Sequence, residues 1–212
     1  MTLAETAMTL SYLALGDSYT IGEGVAEAER WPMQLAKALH GEGLELEPRI
    51  IARTGWTTDE LAHAMDEAQL TDGQYDLVTL LIGVNDQYRQ RPLAEFATGF
   101  DALLHRAIGL AKHGAQGVMV LGIPDWGMTP YAQREGRDAA QVAHQIDAYN
   151  AHIHTVCQAQ QVALVDVTAI SRTCGAGENA LVADGLHPSA AQYRQWTAQA
   201  LPKACKILEN CR

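Results

Sequence analysis

Short apolar runs alternating with longer amphipathic stretches constrain this chain more than any other feature. The runs fall at residues 11–15, 49–52, 77–82, 117–122 and 162–167. They are nearly continuous in Val, Ile, Leu and Ala rather than alternating, as strands buried on both faces must be. Between them, residues 31–39, 58–70, 92–113, 138–160 and 190–208 carry helical patterns. Pro32 suits a first helical turn, and Thr57-Thr58-Asp59-Glu60 has the form of a capping box. Pro202 falls inside the last pattern, where the missing N–H predicts a kink or an end. Strand and helix in strict alternation predict an α/β fold: a parallel sheet covered by helices on both faces. In such a sheet the reactive site lies outside the carboxyl ends of the strands.

The chain's 212 residues suit one domain, with residues 1–9 an N-terminal extension if Met8 is the true start. Lysine and arginine number 15 against 25 acidic residues, a formal charge of −10. That surface repels phosphate backbones and argues against nucleic acid as a partner. Residues 10–15 are too short for a signal-peptide core, and no apolar stretch reaches the roughly 20 residues of a membrane span. The expectation is a cytoplasmic protein, or an exported one if a signal has been removed, without stable membrane insertion. Cys157, Cys174, Cys205 and Cys211 lack metal-ligand spacing and read as reduced thiols rather than disulfide partners. His144, His152 and His154 read as a solvated helix face rather than a metal site. Gly22-Glu23-Gly24 is only a fragment of a dinucleotide fingerprint.

Four segments at strand ends carry chemistry. The first run leads into Gly16-Asp17-Ser18, where a hydroxyl on a tight turn before a helix can act as a nucleophile. Read alone, the same tripeptide favours a helix cap over a nucleophile. Arg53-Thr54-Gly55-Trp56-Thr57 follows the second run, and Gly55 lets a backbone N–H approach a ligand. Gly83-Val84-Asn85-Asp86 follows the third, placing a neutral amide donor at a strand end or forming a simple Asn-Asp turn. Asp184-Gly185-Leu186-His187-Pro188 precedes the last helix, with acid and base three residues apart on one loop. The loop Pro124-Asp125-Trp126-Gly127-Met128-Thr129-Pro130-Tyr131 reaches the same rim; its aromatics either wall a pocket or pack the loop.

Taken together, in this order and over nearly the whole chain, these segments resemble the SGNH/GDSL hydrolases. The resemblance implies a flavodoxin-like three-layer αβα sandwich with a five-stranded parallel sheet. It implies Ser18 as nucleophile, His187 as general base and Asp184 as its orienting acid, with an oxyanion hole of the Ser18 and Gly55 N–H groups and the Asn85 amide. Asp17, Trp126 and Tyr131 are the expected substrate-binding residues. Arg53 stands where many members carry asparagine, a departure that touches local turn hydrogen bonding and leaves the Gly55 N–H in place. The implied activity is hydrolysis of carboxylic esters of small or medium acyl groups, with no cofactor and no metal. The same residues admit a lysophospholipase, a thioesterase, a carbohydrate O-deacetylase or acyl transfer to another acceptor. A non-catalytic carbohydrate- or lipid-binding module is the alternative from a different class.

Overall fold

The computed structural model describes residues 10–175, 177 and 179–209. Residues 1–9 and Cys211, discussed above, lie outside them. Five strands form one parallel sheet: β1 (Leu10–Gly16), β2 (Leu46–Ala52), β3 (Leu77–Leu81), β4 (Val118–Leu121) and β5 (Ala163–Val165). Their order is β2-β1-β3-β4-β5, the flavodoxin-like arrangement. The central strands explain the apolar runs, since β3 and β4 are buried along their whole length.

Nine helices are described: α1 (Ser18–Ile21), α2 (Trp31–Gly41), α3 (Thr58–Glu67), α4 (Val84–Tyr88), α5 (Leu93–Leu110), α6 (Pro130–Arg134), α7 (Ala139–Gln160), α8 (Thr168–Cys174) and α9 (Ala190–Glu209). They cover both faces of the sheet. Helix α2 packs on α9, while α3 and α7 pack on α5. Trp31 and Trp196 are fully buried in the α2 and α9 layer, and Phe96, Phe100 and Tyr149 stack between α5 and α7.

Several boundaries move for physical reasons. Strand β2 starts at Leu46, ahead of the predicted residue 49, because Pro48 is tolerated on an edge strand. Helix α5 stops at Leu110, short of residue 113. Ala111 turns to an extended conformation and bridges Tyr75, and Lys112 N–H donates to the Tyr75 carbonyl at 2.8 Å. Pro202 does not end α9, which runs on to Glu209 with Ala200 and Ala204 fully buried on either side of it. At Thr57 the capping box is half formed: Glu60 accepts the Thr57 N–H at 2.9 Å, while the Thr57 hydroxyl donates to carboxylates instead of accepting. Cys157, Cys174 and Cys205 are free, and burial pushes the Cys157 thiol up to about 12.

Candidate active site

The order of the sheet makes β1 and β3 neighbours at its switch point, so the segments leaving their carboxyl ends meet. A Cβ on Gly16 would lie 2.5 Å from the Leu81 carbonyl, so only glycine lets β1 run this close to β3. Asp17 then caps α1, its Oδ1 accepting the Tyr19 N–H at 3.0 Å. Helix α1 is a single turn, closed by Gly22 in the left-handed region with φ of 69°. Ser18 is its first residue, so its N–H has no intrahelical acceptor and its hydroxyl sits at the turn.

At the end of β3, Gly83 has φ of 121°, and a Cβ there would lie 2.4 Å from Phe96 Cε2. The chain thereby enters α4 directly. Asp86 is fully buried and accepts the Thr58 N–H at 3.1 Å and the Thr58 hydroxyl at 2.9 Å, tying α4 to the start of α3. Burial raises the Asp86 carboxyl above its usual range despite these bonds. Asn85 donates through Nδ2 to the Trp56 carbonyl at 2.9 Å. The turn carrying that carbonyl is closed by the Trp56 N–H to the Arg53 carbonyl at 3.3 Å, with Gly55 at φ of 88°. A backbone bond therefore closes the turn with arginine in place at 53. The Gly55 N–H makes no hydrogen bond within the described residues.

The third piece is the loop before α9. Leu181 bridges Pro188, and Val182 N–H donates to the His187 carbonyl at 2.9 Å. Asp184 Oδ1 accepts the N–H groups of Leu186 at 2.7 Å and His187 at 3.0 Å, while Oδ2 lies 2.6 Å from His187 Nδ1. Burial alone would raise the Asp184 carboxyl; the hydrogen bonds from the His187 ring and the two backbone groups outweigh it and hold it below the usual range. An ionised Asp184 can only accept, so Nδ1 carries a proton, and in the neutral imidazole Nε2 is the nitrogen with the free lone pair. The Tyr19 ring lies 5.6 Å from the His187 ring, and the imidazole is buried. From outside, Arg134 donates to the Asp184 carbonyl at 2.6 Å and Tyr131 N–H to the Gly185 carbonyl at 3.0 Å.

These segments border one cavity of about 370 Å³, lined by Ser18, Gly55, Asn85, Asp184 and His187. Its apolar wall is Tyr19, Val84, Tyr88, Trp126, Tyr131 and Leu186, with Glu23 and Thr54 also lining it. Trp126 is fixed by its Nε1–H to Gln87 at 2.8 Å, and the Tyr88 and Tyr131 hydroxyls are 3.1 Å apart. Among the described residues the Ser18 hydroxyl has no hydrogen-bond partner. Asp17, expected among the substrate-binding groups, does not line the cavity. Only 1% exposed, it faces inward, where its Oδ2 has no partner among the described residues. Burial lifts its carboxyl to about 8 against the Tyr19 hydrogen bond, with the Asp86 charge adding to the rise. Its short reach and its position as helix cap explain the difference.

A sequence profile of the GDSL-like Lipase/Acylhydrolase family matches residues 14–195. The chain belongs to this family. No curated protein matches it in sequence. The GDSL-like fold is shared with solved structures of low identity. TesA aligns with a TM-score of 0.71 at 20% identity, over 93% of this chain and 99% of that one. The lipase/acylhydrolase from Enterococcus faecalis gives 0.73 at 19%, over 95% and 97%. Axe2, an acetylxylan esterase from Geobacillus stearothermophilus, gives 0.70 at 19%, over 92% and 94%.

In this GDSL-like chain, no group of three or more His, Cys, Asp or Glu among the described residues is placed to hold a metal ion. His152 is instead paired with Asp101 at 2.8 Å, edge-on to Phe96 and Phe100. No described helix is long and apolar enough to cross a membrane. Sequence reasoning missed Tyr19, Glu23, Thr54, Val84, Tyr88 and Leu186 as cavity residues. Tyr88 had a signal, since it lies three residues after Asn85 on what proves to be one helix.

Proposed function

We propose that this GDSL-family protein is a carboxylic ester hydrolase working through Ser18, His187 and Asp184. The observation that carries the reading is the 2.6 Å pairing of Asp184 with His187 Nδ1 on the cavity that also exposes Ser18. His187 Nε2 takes the Ser18 proton as Oγ attacks the ester carbonyl, and Asp184 stabilises the imidazolium. The N–H groups of Ser18 and Gly55 and the second amide hydrogen of Asn85 receive the oxyanion. His187 returns the proton to the departing alcohol. Water then cleaves the acyl-enzyme by the same route, regenerating the Ser18 hydroxyl and releasing the acid. The open Ser–His contact fits a resting site, since catalytic hydrogen bonds often tighten only around substrate.

The cavity's volume lies near the lower end for ligand sites, and its aromatic wall favours small or medium acyl groups. Purified protein and Ser18→Ala should be compared on p-nitrophenyl esters from acetate to decanoate. Hydrolysis that the variant abolishes, falling away at long chains, is the expected result. No hydrolysis of any ester by folded protein would favour a binding module.

A further inference from the structure

Two side chains, one on α4 and one on the residue that caps its C-terminal end, grip successive carbonyls of the turn after β2. Asn85 donates to the Trp56 carbonyl at 2.9 Å, and Arg89 donates through Nη2 to the Gly55 carbonyl at 2.7 Å. Four residues apart, they share a face of the turn that begins with α4, and the Arg89 N–H itself closes on the Asn85 carbonyl at 3.0 Å. The same guanidinium lies 3.2 Å from the Glu60 carboxylate, and Glu60 accepts the Thr57 N–H at the start of α3. Arg89 therefore links both ends of the segment that contains Gly55 to the helix that contains Asn85.

That segment needs a fastener. The φ of 88° at Gly55 is the value of the third residue in a type II turn. The backbone bond that closes the turn is long at 3.3 Å, so side-chain bonds carry the rest of the fastening. Arg89 and Asn85 hold the carbonyls of the two peptides that follow the Gly55 N–H, and the Thr54 hydroxyl, tied to Glu23, anchors the residue before it.

We infer that Arg89 is a positioning residue: together with Asn85 it fastens the turn that carries the Gly55 N–H to α4, so that the two donors stand as one unit. This rests on the oxyanion role assigned above to Gly55 and Asn85. Its own signature is structural as well as kinetic. Arg89 has 44% of its side chain exposed, so its removal should leave the fold intact.

The test uses Arg89→Ala and Arg89→Lys, with ester kinetics, thermal melting and the amide NMR resonance of Gly55. In Arg89→Ala the Gly55 resonance should broaden or double and kcat should fall about tenfold, with KM within twofold and melting nearly unchanged. Lysine keeps the charge and N–H donors but not the planar fork, and should restore part of both. An unchanged Gly55 resonance in Arg89→Ala, or an altered resonance with unchanged kcat, would overturn the inference. An altered resonance in a protein that hydrolyses no ester would leave the clamp standing and remove the hydrolase reading instead.

Discussion

Replacing Asp17 with Asn should remove a loss of stability that runs from about pH 4 to about pH 8. The carboxyl is 1% exposed, its Oδ1 accepts the Tyr19 N–H, and its Oδ2 has no partner among the described residues. Asn keeps the Oδ1 contact and puts an NH2 where the protonated acid carries its hydrogen, so it mimics the neutral form. The unfolded chain releases this proton near its ordinary value of 3.8, while the fold retains it up to about 8. Between those values the native state binds more protons, so stability from this group is complete at low pH and drains away as pH rises. The full shift corresponds to about 6 kcal/mol. Relaxation of the surroundings around a buried charge reduces this, and we expect about 2–3 kcal/mol. Asp59, Glu60, Asp76 and Asp184, all held below their usual range, gain stability over the acidic part of the same rise. The assay is therefore the difference between wild type and Asp17→Asn in urea unfolding from pH 4 to pH 9. The variant should match wild type at pH 4 and exceed it at pH 9. A difference that stays flat with pH would refute the reasoning.

Asn85→Ala removes the tether to Trp56 and, on the proposed mechanism, an oxyanion donor; turnover should fall about 10²–10³-fold, with about 1 kcal/mol lost in urea unfolding. Unchanged turnover would remove Asn85 from the mechanism. Gly83→Ala combines a φ of 121° with a Cβ 2.4 Å from Phe96 Cε2. It should destabilise by about 3–5 kcal/mol in the same assay, and a shift under 1 kcal/mol would show that α5 yields freely.

The strands were legible because burial on both faces leaves a continuous apolar run, which β1, β3 and β4 display. Strand β2 was half visible, since Pro48 reads as a breaker unless its edge position is known. Helices α4, α6 and α8 have five, five and seven residues, too few to express a helical period. The site was legible wherever chemistry depends on local spacing: Asp184 reaches His187 within one loop, and Gly55 needs only its own backbone. It was not legible where distant segments decide. Asp17 sits beside Ser18 yet points inward, and Tyr88 joins the wall only because α4 turns it there. Arg89 joins the site only because the fold brings the Gly55 carbonyl, 34 residues away in the chain, within 2.7 Å of it.

The most direct test of the central claim is to mix enzyme with a p-nitrophenyl ester and follow both p-nitrophenol release and intact protein mass before steady state. The account predicts a burst of one p-nitrophenol per protein, with the acyl mass mapping to the peptide containing Ser18 and absent from Ser18→Ala. Hydrolysis that persists in Ser18→Ala, or an acyl group carried elsewhere, would contradict it.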